Sequence, residues 1–157
     1  MKRYNYPPYE HHQPSGEELE ILDLHPPVSL VWERAQVIGI KVELVKTFFS
    51  KKKRHTFIKT ALYLNDVLCR IHAPSFQGYP KRFASLLVVL NRADPRIEVF
   101  VVVVEAEESK DGYWFYLIPR CALKRDRVYI PFRTSYSGFS QNILKRFRGD
   151  WSIVGAR

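Results

Sequence analysis

The sequence predicts an α/β (α+β) fold, a central mixed β-sheet with a helix on each face, and three observations predict it. Helical spacing is confined to stretches near the two ends of the chain, with strand-like runs between them. The run IEVFVVVVEA, residues 97–106, is β-branched and apolar throughout, as a strand covered on both sides would be. The chain has 157 residues, of which 46% are apolar and 14% aromatic, enough for one domain with a substantial core.

Taken in order, residues 1–14 are rich in Pro, His and Tyr and offer little to bury, which predicts a flexible N-terminal arm. Within it His11 and His12 have no further ligands at metal spacing along the chain, so no metal site is expected there. Residues 15–157 are expected to form a single domain. Ser15 and Glu18 make a capping box that opens a short helix, EELEILDL, and Pro26 and Pro27 are expected to end it. A second helix, VSLVWERAQVI, places Val28, Val31, Trp32, Ala35 and Ile38 at helical spacing, with Gly39 closing it.

GIKVELVKTFF then alternates as a strand, and SKKKRH is a basic loop. FIKTALYL and VLCRIHA are strands joined by Asn65-Asp66, a dipeptide suited to a two-residue turn at positive φ. That turn sets a register with Leu64 opposite Val67, Leu62 opposite Cys69 and Ala61 opposite Arg70, one residue of slip bringing Thr60 there instead. Arg70 and His72 share a face because strand side chains alternate. APSFQGYPKR is a loop, FASLLVVL a strand, NRADPR a turn and ESKDG a hairpin turn leading to the strand YWFYLIP. RVYIPF adds a short edge segment. SQNILKRFRGDWSIV reads as a C-terminal helix, with Ile143, Leu144 and Phe147 on one face and Trp151 packed on the sheet.

This order of elements resembles the PD-(D/E)XK nuclease superfamily, particularly its small intron-encoded or resolvase-like members. The residues that carry the resemblance are the helix-to-strand step QVIGIKVELV, the hairpin around Asn65-Asp66, the buried strand, Phe115–Pro119 and the Trp-containing tail FRGDWSIV, over roughly residues 28–154. The resemblance implies a restriction-endonuclease-like core. It also implies that the positions of Arg70 and His72 carry Gln or Glu and Lys in the family, opposite a metal-binding Asp where Ala61 stands here. Carboxylates hold the Mg²⁺ that activates water in such chemistry, and Ala and Arg cannot. The ordinary metal site is therefore dismantled, with no cofactor expected, or Mg²⁺ if the enzyme is active. Glu33, Asp66 and Glu98, with His72, are the candidates for a displaced catalytic site. Glu108-Ser109-Lys110 is formally an E-x-K, but it lies in a turn.

Charge points to the partner. The net charge is +9, and it is uneven: residues 41–59 carry seven Lys or Arg against one acid, and residues 120–157 carry nine against two. Such blocks suit a polyanion. The expected function is nucleic-acid binding, to DNA or RNA, through Lys51, Lys52, Lys53, Arg54, Arg70, His72, Lys81, Arg82, Lys145, Arg146 and Arg148. The protein is expected to act alone or as a subunit of a nucleoprotein assembly. The alternatives are an active Mg²⁺-dependent endonuclease and a structural, protein-interaction subunit. Cys69 and Cys121 form no metal or disulfide pattern and are expected to be small buried hydrophobes. With no apolar span long enough for a membrane and no secretory signal, a soluble intracellular protein is expected.

Overall fold

Signals a few residues long set most of the elements. The structure, a computed structural model, describes residues 9–23, 26–49, 54–73, 85–90, 94–106, 109–124, 126–131 and 146–155. Helix α1, Gly16–Asp23, opens on the expected capping box. The Glu18 N–H donates to Ser15 Oγ at 3.3 Å and the Ser15 N–H to Glu18 Oε1 at 3.0 Å. Helix α2, Pro26–Val37, begins on the prolines that follow the end of α1, two residues ahead of the expected start at Val28. Proline at a first helical position gives up an N–H that has no partner there in any case, so the pair starts the second helix. Gly39, at φ 83°, ends α2. The Ile40 N–H reaches Ala35 O at 2.9 Å and the Gly39 N–H reaches Gln36 O at 3.0 Å, the paired bonds of a Schellman cap.

Strands β1 (Tyr9–His12), β2 (Val42–Phe49), β3 (Arg54–Leu64), β4 (Val67–His72), β6 (Val99–Glu105) and β7 (Tyr113–Pro119) form one mixed sheet. They lie side by side in that order, all antiparallel except β4 and β6, which run parallel. Strands β5 (Ser85–Val89) and β8 (Arg127–Pro131) pair with each other in a separate two-stranded sheet, rather than extending the first. Residues 9–12, expected within a flexible arm, are instead an edge strand paired with β2. At the β3–β4 turn Asn65 has φ 49° and Asp66 φ 67°, and the pairing is Leu64↔Val67, Leu62↔Cys69 and Ala61↔Arg70, without slip.

One face of the sheet packs against α2. Val28, Val31, Trp32 and Ala35 meet Leu44, Leu62, Leu64, Cys69, Ile71, Val99, Val101 and Leu117 in one buried cluster. Trp151 joins this side, its ring 5.6 Å from that of Phe115. The other face buries Ala61, Tyr63, Leu68, Phe100, Val102, Tyr116 and Ile118. Among the described residues its cover is not the expected helix but irregular segments that contribute Leu90, Ile97, Leu123 and Phe147. Strand β6 feeds both clusters, which explains its unbroken apolar run.

The C-terminal helix expected over residues 140–154 is not continuous. Arg148 bridges to Tyr116, the Gly149 N–H donates to Phe115 O at 2.6 Å, and Gly149 has φ 67°. These contacts break the chain into short 3-10 turns, one of them Trp151–Val154. Cys69 is buried as expected, whereas Cys121, in the 3-10 turn Arg120–Ala122, is exposed. No helix among the described residues is long and apolar enough to cross a membrane.

Candidate functional site

The loop-covered face of the sheet carries the polar chemistry. Alternation places Leu68, Arg70 and His72 of β4 there, beside Ala61 and Tyr63 of β3 and Phe100 and Val102 of β6. Arg70 is half-buried, and among the described residues no carboxylate forms an ion pair with it. His72 Nε2 is buried with no hydrogen-bond partner among the described residues, and the ring lies 6.0 Å from Phe100. Burial, helped by the nearby Arg70 charge, pushes the His72 pKa down to about 4. His72 is therefore a neutral imidazole at pH 7, able to take part in a hydrogen bond but not to add a charge.

Towards the sheet edge the same face holds a closed polar network. The buried Asp94 carboxylate accepts from Arg96 Nε at 3.0 Å and Arg96 Nη2 at 2.9 Å. It also accepts from the Arg96 N–H at 3.0 Å and from the Tyr9 hydroxyl at 2.9 Å. Burial alone would raise the Asp94 pKa, but these bonds from Arg96 and Tyr9 outweigh it and hold the carboxyl below its usual range. The Arg96 guanidinium lies 3.6 Å above the Tyr9 ring, so β1 is tied down by charge, hydrogen bond and stacking together. At the far edge Arg148 stacks over Trp114 at 4.2 Å, and Arg120 Nε donates to Ile97 O at 2.6 Å. Arg148 and Arg120 thus serve the fold on this face.

The acids proposed for a displaced catalytic centre do not converge. Glu33 is exposed on α2 and Glu98 is exposed just before β6. Among the described residues the only group of three His, Cys, Asp or Glu side chains close enough to hold a metal is His11, Glu43 and Asp66, with ligand atoms all within 4.8 Å of one another. Of the four candidates it contains Asp66 alone. His11 Nδ1 lies 3.0 Å from Glu43 Oε1 and 3.6 Å from Asp66 Oδ1. Lys41 Nζ is 3.2 Å from Glu43 Oε1 and 3.5 Å from Asp66 Oδ1. The hydrogen bond from His11, joined by the hydrogen bond and charge of Lys41, keeps the Glu43 carboxyl below its ordinary range against the upward pull of burial. Spacing along the chain gives no metal site at His11, because its partners are 32 and 55 positions away. A signal existed at the start of β2: Lys41, just before the strand, and Glu43 within it are two apart, hence on one side.

Of the expected nucleic-acid contacts, Arg146 is exposed, with its guanidinium 4.6 Å from the Phe147 ring. Arg54 starts β3, opposite Phe49. Lys51, Lys52, Lys53, Lys81, Arg82 and Lys145 lie outside the described residues, as does Glu108. Fold and site together define an α+β protein built on a mixed six-stranded sheet with two helices and one polar, arginine-bearing face. Compared with known proteins, the chain matches no family model, and no curated protein or solved structure matches it either.

Proposed function

We propose that the protein binds nucleic acid without cleaving it, through the loop-covered face of a sheet arranged as a degenerate PD-(D/E)XK-like core, on its own or within a nucleoprotein assembly. The observation that carries this reading is Arg70. It stands half-buried on that face opposite Ala61, with no carboxylate ion pair among the described residues, in a chain of net charge +9. An arginine held by a rigid strand presents a planar donor fork that suits a phosphate. Neutral His72 beside it offers a donor or an acceptor to the same ligand without a charge of its own. Arg146, exposed at the margin, extends the cationic surface. The scattered positions of Glu33, Asp66 and Glu98 favour binding over hydrolysis, because water activation by a divalent ion needs carboxylates on one centre.

The test is the salt dependence of binding to a DNA duplex and to single-stranded RNA. Affinity should fall steeply as salt rises, and reversing the charges of Lys51–Arg54 should flatten the slope. Affinity independent of salt, or cleavage of either substrate that needs Mg²⁺ and stops with EDTA, would refute the reading.

A further inference from the structure

We infer that His11, Glu43 and Asp66 form a binding site for a divalent transition-metal cation of the zinc type, which staples β1 to the β3–β4 turn. The inference is independent of nucleic-acid binding.

The donor set is one imidazole nitrogen and two carboxylates, from a strand, its neighbour and a turn. Nitrogen with oxygen suits zinc better than magnesium, which takes oxygen donors almost alone. Zinc bonds of about 2.0–2.2 Å at tetrahedral angles separate ligand atoms by roughly 3.3–3.6 Å. The His11–Glu43 and His11–Asp66 separations of 3.0 and 3.6 Å lie near that range, so small side-chain adjustments admit the ion. The fourth position faces solvent, since the Asp66 side chain is 67% exposed, and water can fill it.

Each ligand is held before any ion arrives. The His11 ring stacks flat on buried Tyr63, with centroids 3.7 Å apart and planes 8° from parallel. Glu43 is 8% exposed and, with Asp94, one of two buried polar or charged side chains among the described residues. Asp94 is fully engaged by Arg96 and Tyr9, whereas Glu43 has His11 and the mobile ammonium of Lys41. The turn that carries Asp66 is fastened on both sides. The Asn65 N–H donates to Lys41 O and Asn65 Oδ1 accepts from the Lys41 N–H, both at 2.9 Å, and Asn65 Nδ2 reaches Val154 O at 3.0 Å. Among the described residues Lys41 Nζ is the one Lys or Arg cation at the cluster, on a flexible stem 58% exposed. A divalent ion displaces it into water and holds both carboxylates directly.

Isothermal titration of the full chain with Zn²⁺, from a chelator-buffered solution, tests the site. The expected result is saturable binding of one ion per chain, with a rise in melting temperature that chelation reverses. His11→Ala and Asp66→Asn should each weaken binding at least ten-fold. Asparagine keeps the positive φ of the turn, so Asp66→Asn separates lost ligation from lost folding. Lys41→Gln, which takes away the competing cation, should bind Zn²⁺ more tightly. Absence of saturable binding, binding that His11→Ala and Asp66→Asn leave unchanged, or weaker binding in Lys41→Gln would each overturn the inference and leave an ion-pair network only.

Discussion

The two faces of the central sheet are made by the same strands, yet they solve opposite problems. On the α2 side the alternate residues Leu44, Leu62, Leu64, Cys69, Ile71, Val101 and Leu117 are apolar, and a helix with an apolar stripe closes over them. On the other side the next residues along the same strands include Glu43, Arg70 and His72, and the described cover is irregular chain. A helix satisfies its own backbone and can seal a dry face, whereas loops bring unpaired backbone and polar side chains with them. The lesson is a division of labour: α2 seals one apolar face, and the opposite face sets Glu43, Arg70 and His72 among a second apolar cluster, which is where the proposed binding is placed.

The difference can be broken most severely at the sealed face. Leu117 is fully buried there, and Leu117→Ala is expected to cost about 2–5 kcal/mol in urea unfolding, from lost burial plus the residual cavity. An effect below about 1 kcal/mol would mean that this face is no better packed than its opposite. The next effect comes from His72. Its pKa is about 4 when folded and 6.5 unperturbed, so the unfolded chain binds the extra proton first. Its contribution is whole above pH 6.5 and drains away as the pH falls towards 4. His72→Gln should flatten the stability curve across that window, and an unchanged curve would show that the ring is solvated and ionises freely. The smallest effect on stability is expected at Arg70. Arg70→Ala should change stability by less than about 1 kcal/mol while lowering the salt slope of nucleic-acid binding by about one. A large loss of stability there would make Arg70 part of the core and remove the contrast between the faces.

How much was legible in the sequence follows the range of each interaction. The capping box at Ser15 and Glu18, the Gly39 cap and the Asn65-Asp66 turn with its register are complete within a few residues, and all three form as read. The prolines at 26 and 27 do two jobs: α1 ends before them at Asp23, as read, and α2 begins on them, two residues ahead of the start its apolar spacing gives. The C-terminal segment has helical spacing, but the bridge from Arg148 to Tyr116 and the bond from Gly149 to Phe115 O outweigh local preference. For the candidate site, Arg70 and His72 could be placed on a shared face from alternation alone. The neutrality of His72 could not, because it depends on what buries the ring.

By itself, then, the sequence determined the alternation of the strands, the turn that sets Ala61 against Arg70, the buried character of β6 and the surplus of positive charge. Tertiary structure alone decided that residues 9–12 join the sheet, that β5 and β8 pair apart from it, and that His11 meets Glu43 and Asp66. The physical reason is loop closure. Contacts across tens of residues form only when the whole sheet offsets their entropy, and no short run of residues records that balance.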